Sequence, residues 1–236
     1  MARGRFVALG ILIAVAAGCR STNDEAIDVS YNLLVSGADR DVQEGQYDLA
    51  IRKLERAAAL RPEEPEPPFR LGNTLVKRAL RPDVDAETRR AFITRALAQH
   101  EVARRKAPRQ ALYQYAVGRD YVLLERPTDA LPPLELARAL APDIPYIDAR
   151  FGDAYRQMKD YPKALEFYRS GLTKPQERLA TTELHEGIGE TYAAQGQIDE
   201  AVKELDLARQ SAGREHAKRL AQRIEALKAP ASRPAP

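Results

Sequence analysis

Between residues 31 and 215, small, bulky and helix-stopping residues return in a fixed order. A small residue is followed at plus four by a bulky one, at plus seven by another small one and at plus twelve by proline. The frame reads Ala50, Leu54, Ala57, Pro62, then Ala96, His100, Ala103, Pro108, then Ala130, Leu134, Ala137, Pro142. Ala164, Tyr168 and Gly171 continue it with Pro175 one residue early, and Ala201, Leu205 and Ala208 close it with Gly213 in the proline slot. Steps of four and three keep these positions on one face of a helix, and proline forbids its continuation. Twelve residues upstream of the leading Ala stands another small residue, Ala38, Gly118, Gly152 or Gly189; in the second unit the equivalent Gly72 is displaced by twelve inserted residues. Each unit therefore predicts two antiparallel helices that approach closely at the small residues, with the bulky ones filling the gap. Gly45 and Gly196 fall in the turns between helices. A lone pair would leave an apolar face bare, so the units must stack.

Ala96, Ala130 and Ala164 are spaced 34 residues apart. With Leu71-Gly72-Leu75, Val117-Gly118-Tyr121, Phe151-Gly152-Tyr155 and Ile188-Gly189-Tyr192 on the first helices, this pattern resembles the tetratricopeptide repeat (TPR). The resemblance covers about residues 31 to 215. It implies an all-α, right-handed superhelical solenoid of about five units, near 31–64, 65–110, 111–144, 145–178 and 182–215. Ala217, Leu220, Ala221, Ile224 and Leu227 then recur at helical spacing, predicting a capping helix over 216–228. The ending 229–236 carries three prolines and is expected to be disordered.

Three departures from the pattern carry expectations. Unit one has Gly37 and Asp41 where its sisters are apolar, which predicts a looser first helix. The insertion around Arg81 to Arg90 gives unit two a second helix of roughly 22 residues that Asp85 could cap. Pro132-Pro133 falls inside the second helix of unit three, which predicts a late start or a bend.

The first 18 residues have a different character. A basic start (Arg3, Arg5) precedes an apolar stretch from Phe6 to Ala17 and small residues up to Cys19. Twelve apolar residues make only about 18 Å of helix, too short for a hydrocarbon core of roughly 30 Å, so the segment reads as a signal peptide. The run Val15-Ala16-Ala17-Gly18-Cys19 resembles a bacterial lipoprotein signal, departing from it at Ala16, where Leu is usual. That resemblance implies acylation of Cys19 as the first mature residue. Arg20 after it implies the outer membrane, with the protein facing the periplasm, and 19–30 would form a polar tether.

Composition narrows the chemistry. One Cys in 236 residues excludes an internal disulfide and every Cys-based zinc or iron–sulfur set. The absence of Trp and the few Phe argue against a β-sandwich. A formal charge of +3, part of it lost with Arg3 and Arg5, gives no basis for a nucleic-acid partner. Phosphate loops, nucleophile elbows, dinucleotide fingerprints and metalloprotease helices are all missing. His100 takes a core slot, His185 a packing slot and His216 the exposed side of the cap. Glu183, Glu186 and Glu190 form a stripe that reads as a solvated acidic face. No enzyme activity and no cofactor is expected.

What converges is a surface. The TPR resemblance implies that first helices line the concave side, which places there Phe69, Asn73, Lys77, Tyr115, Arg119, Tyr146, Asp153 and Arg156. Aromatic anchors with Arg and Asn donors suit an extended peptide. The expected function is a non-catalytic protein-binding scaffold, lipid-anchored at Cys19, that supports assembly of an envelope complex such as a pilus, a secretin or cell-wall machinery. A groove that binds glycan or cell-wall polymer, or serves its export, is the alternative.

Overall fold

A computed structural model describes residues 22–175 and 177–229, apart from the side chains of residues 22 and 23. The signal segment, Cys19 and the tail from residue 230 lie outside the described residues. Eleven helices and no strand are found among those described: α1 (Thr22–Gln43), α2 (Tyr47–Leu60), α3 (Glu66–Ala79), α4 (Ala86–Lys106), α5 (Ala111–Leu123), α6 (Pro127–Leu140), α7 (Pro145–Gln157), α8 (Tyr161–Leu172), α9 (Arg178–Ala194), α10 (Ile198–Ser211) and α11 (Arg214–Lys228). They pack as five pairs, each stacked on the next, with α11 closing the C-terminal end against α10. The first helices of units three, four and five (α5, α7, α9) also neighbour one another, so they form one continuous side of the stack.

The repeat frame is the core. All fifteen residues from Ala50 to Ala208 that occupy its small and bulky slots are buried. The glycines of the first helices face the bulky residues: a Cβ on Gly72 would overlap His100, on Gly118 Leu134, on Gly152 Tyr168 and on Gly189 Leu205. Missing side chains on one helix thus admit large ones from the other, and the interior reaches close packing without strain. The cap obeys the same rule, burying Leu220, Ile224 and Leu227 on Leu205 and Ala208.

Four of the five helix pairs share one turn. The amide of Gln46 donates to the Asp41 carbonyl (2.7 Å), Arg126 to Tyr121, Asp160 to Tyr155 and Gln197 to Tyr192 (each 2.9 Å), the six-to-one bond that closes a helix when the preceding residue is left-handed. Gly45 and Gly196 take that conformation (φ 77°), but so do Glu125 (φ 57°) and Lys159 (φ 63°). A Cβ is penalised there. Lys159→Gly is expected to stabilise the protein by about 0.5–1 kcal/mol net of the extra unfolded-state entropy. Gly45→Ala, whose Cβ would have nothing within 4 Å, should lose a similar amount. Paired thermal denaturation curves check both, and a Tm that falls in Lys159→Gly refutes the assignment.

Several expectations are corrected. α1 begins at Thr22, so most of the stretch read as tether is helix. It is held by charges in place of the missing apolar contacts: Lys53 reaches the buried Asp41 (2.7 Å), and Arg61 pairs with Asp28 and lies 4.5 Å over the Tyr31 ring. α6 starts on time at Pro127 and runs through Pro132 and Pro133, because Ala130, Pro133, Leu134 and Ala137 are buried together beneath α5 and hold the helix where two amide donors are lost. The insertion behaves as expected, with α4 spanning 21 residues and Asp85 accepting from the Thr88 amide at 2.9 Å.

Candidate functional site

The first helices present a cavity of about 480 Å³ to solvent. α3 and the residue after it contribute Asn73, Val76, Lys77 and Leu80; α5 contributes Leu112, Tyr115 and Arg119; α7 contributes Tyr146 and Arg150; α9 contributes Leu179 and Glu183. Leu80, Leu112 and Leu179 are each more than half exposed (57%, 54% and 57%). Leucines left in water at the mouth of one concavity form an apolar rim of the kind that marks a binding surface.

The polar residues of this cavity differ in their freedom. Lys77 is exposed, with no ion pair among the described residues. Arg119 is engaged: its guanidinium donates to Asn73 Oδ1 (3.2 Å) and to the buried Asp120 Oδ1 (3.0 Å), and Asp120 in turn meets His100 Nδ1 at 2.5 Å. Tyr146 donates to Glu177 (3.1 Å). Burial first, then that hydrogen bond and the Glu177 and Glu183 charges, push its hydroxyl up to about 12, so it stays a donor throughout the physiological range.

Arg150 is the centre of the site and the residue that repeat positions did not single out. It is largely buried, lies 2.9 Å from Asp153 and pairs with Glu183, while its buried Nε has no partner among the described residues. Burial opposes its charge, yet Asp153, Tyr115 and Glu183 outweigh that and hold its ionisation above the ordinary arginine value. Arg150 and Glu183 also line a second, charged cavity of about 360 Å³ with Asp153, Arg156, Glu186, Glu190 and His216. Asp153 accepts from the Tyr168 hydroxyl (2.7 Å), and Arg156 reaches that oxygen from 3.5 Å.

Seven of the eight concave candidates therefore line one or other of two adjoining cavities. Phe69 lines neither. Its half-buried ring packs 4.7 Å from Tyr113 and 5.7 Å from His100, because an apolar ring gains more in that aromatic seam than at a wet surface. Two further readings are corrected. The glutamate stripe is not merely solvated, since Glu183 meets Arg150, Glu186 meets His216 (3.0 Å) and Glu190 meets Arg223 (3.2 Å). His216 thus faces the trough, where it helps fasten α11 to α9. His185 instead pairs with Glu204 at 2.7 Å. Among the described residues no cluster of His, Cys, Asp and Glu could hold a metal ion, and no helix is long and apolar enough to cross a membrane.

No protein-family model matches the sequence, and no curated protein does. Solved structures share the fold. TTC0263, a thermophilic TPR protein in Thermus thermophilus, is 21% identical with a TM-score of 0.67, over 84% of this chain and 98% of that one. MamA (41-end) from Desulfovibrio magneticus RS-1 is 19% identical with a TM-score of 0.60, over 77% of this chain and 94% of that one. A chain of the APC/C hetero-tetramer Cut9-Hcn1 is 12% identical with a TM-score of 0.68, over 86% of this chain and 39% of that one. The architecture is a TPR-like solenoid.

Proposed function

We propose that this protein is a non-catalytic scaffold, anchored to the bacterial envelope by acylation of Cys19, that holds a segment of a protein partner in its trough and so supports assembly of an envelope complex. The observation that carries the binding role is the central cavity: three water-exposed leucines from separate units border it, Tyr115 and Tyr146 line it, and Lys77, without an ion pair among the described residues, stands at its edge. A concavity bordered by apolar side chains and holding a few placed polar groups is the anatomy of a binding cleft, in which the apolar contacts supply area and the polar groups fix orientation. The exposed Lys77 ammonium favours a partner segment that carries an acidic group beside its apolar anchors. The signal-like sequence before Cys19 supports the anchor.

Photo-crosslinking in intact cells tests both parts. A photoreactive residue at Leu112 or Leu179 is expected to give a discrete protein adduct, while one at the exposed Leu136 or Leu207, outside both cavities, gives none. In the same cells Cys19→Ser should release the chain from the membrane fraction and lose labelled fatty acid. Equal adducts from all four positions, or adducts only to cell-wall glycan, would sink the protein-binding reading.

A further inference from the structure

Among the described residues, one end of the stack is closed and the other is open. Register shows what the opening leaves bare. Leu33 stands where the later units carry Pro67, Tyr113, Ile147 and Leu184, and Arg40 stands where they carry Thr74, Asp120, Ala154 and Thr191. All eight of those are buried, and the preceding unit supplies cover for them, as His100 does for Asp120, Phe69 for Tyr113 and Gly171 for Leu184. α1 has no preceding unit among the described residues, and Leu33 is 67% exposed with Val29 at 60%.

Glu25, Val29, Leu33, Ser36 and Arg40 follow one another at steps of four, four, three and four, so they share one stripe of α1. The stripe has an acid at one end, a base at the other and apolar side chains between. Glu25 and Arg40 are both exposed, with no ion pair among the described residues, and the Ser36 hydroxyl is satisfied inside the helix by the Asn32 carbonyl at 2.8 Å. Such a stripe is complementary to itself when turned around. We propose that the open end binds a second copy of this chain through an antiparallel α1–α1 contact, with the two-fold axis between Asn32 and Leu33. In that register Glu25 faces the partner's Arg40 twice over, Val29 packs on the partner's Ser36, and the two Leu33 side chains meet beside the axis. An isologous contact closes on itself, so it yields dimers and not filaments. The proposal is independent of what the trough binds.

One stripe of a single helix makes a small contact, so association is expected to be weak, with a dissociation constant on the order of 10 µM. Sedimentation velocity on the full chain in mild detergent, from about 1 to 100 µM, spans that value. Leu33→Asp should weaken association at least about tenfold. Glu25→Arg should weaken it by roughly three- to tenfold, and Glu25→Arg with Arg40→Glu should restore it to within about twofold, because the swap rebuilds both pairs. All these positions are exposed, so the helical circular-dichroism signal should not change. A wild-type chain that is monomeric at the top concentration overturns the proposal and leaves the stripe to a lipid surface. Dimers that survive Leu33→Asp, or a charge swap that fails to rescue, overturn it as well.

Discussion

Tyr168→Ala is expected to cost about 3–5 kcal/mol of unfolding free energy, as large-to-small changes at buried aromatic positions do. The ring is fully buried between two glycines of adjacent first helices, Gly152 and Gly187, and a Cβ on either would overlap it. One side chain therefore fills the gap within unit four and the gap between units four and five, and its removal leaves a cavity that helix backbones cannot close. Tyr168→Phe should cost only about 1 kcal/mol, because Asp153 loses one donor but keeps Arg150 at 2.9 Å. Burial, then the Asp153 charge, pushes the Tyr168 hydroxyl well above its ordinary value. The unfolded chain sheds this proton first, so the stability linked to it is full below the ordinary tyrosine range and is lost as pH rises beyond it. Tyr168→Phe should accordingly show a shallower alkaline decline. Urea unfolding followed by circular dichroism measures all three; equal losses for the Ala and Phe variants would refute the cavity argument.

Asp120→Ala should destabilise by about 3 kcal/mol or more, the usual cost of stripping one member from a buried pair. Its carboxylate sits between His100 Nδ1 and the Arg119 guanidinium, and both Asp120 and His100 are fully buried. His100 Nε2 has no partner among the described residues, so losing Asp120 leaves the imidazole with no polar contact there. The double variant His100→Leu with Asp120→Ala should recover most of the loss. It gives unit two the occupant that Leu54, Leu134 and Leu205 supply elsewhere, and it gives position 120 the residue found at Ala154. Denaturation across the full mutant cycle reads the coupling; a double variant no better than the sum of the singles would show that the pair was not the cause. The pair also ties core to surface, because Asp120 is what holds Arg119 against Asn73 in the trough.

The repeat was legible because its signal is steric. Glycine opposite a bulky residue, with proline at a set distance after it, is a contact written twice in the sequence. All fifteen slots are buried for that reason. Asp85 was legible too, since a cap acts on its own next three residues. The trough was read only in outline. Helical register gives the direction in which a side chain leaves the backbone, and it says nothing about how far a long one bends. Arg150 departs beside the concave positions and then reaches Asp153 and Glu183, while Phe69 departs at a concave position and folds back into an aromatic seam. His216 needed a partner from another helix to fix its direction. Charge compensation in α1 was invisible for the same reason, because Lys53 and Asp41 are brought together only by the pairing of α1 with α2.

The insertion in unit two shows what this architecture permits. Most of the extra residues lengthen α4 at its N-terminal end or enlarge the turn before it, where Ala79, Ile93 and Leu124 gather a small core of their own. The inward spacing is untouched, since Asn73 before the insertion and Tyr115 after it still border one cavity. Growth on the outside of a unit is thereby uncoupled from the calibration of the inside, so lineages can add or trim outer surface while the lining keeps its pitch.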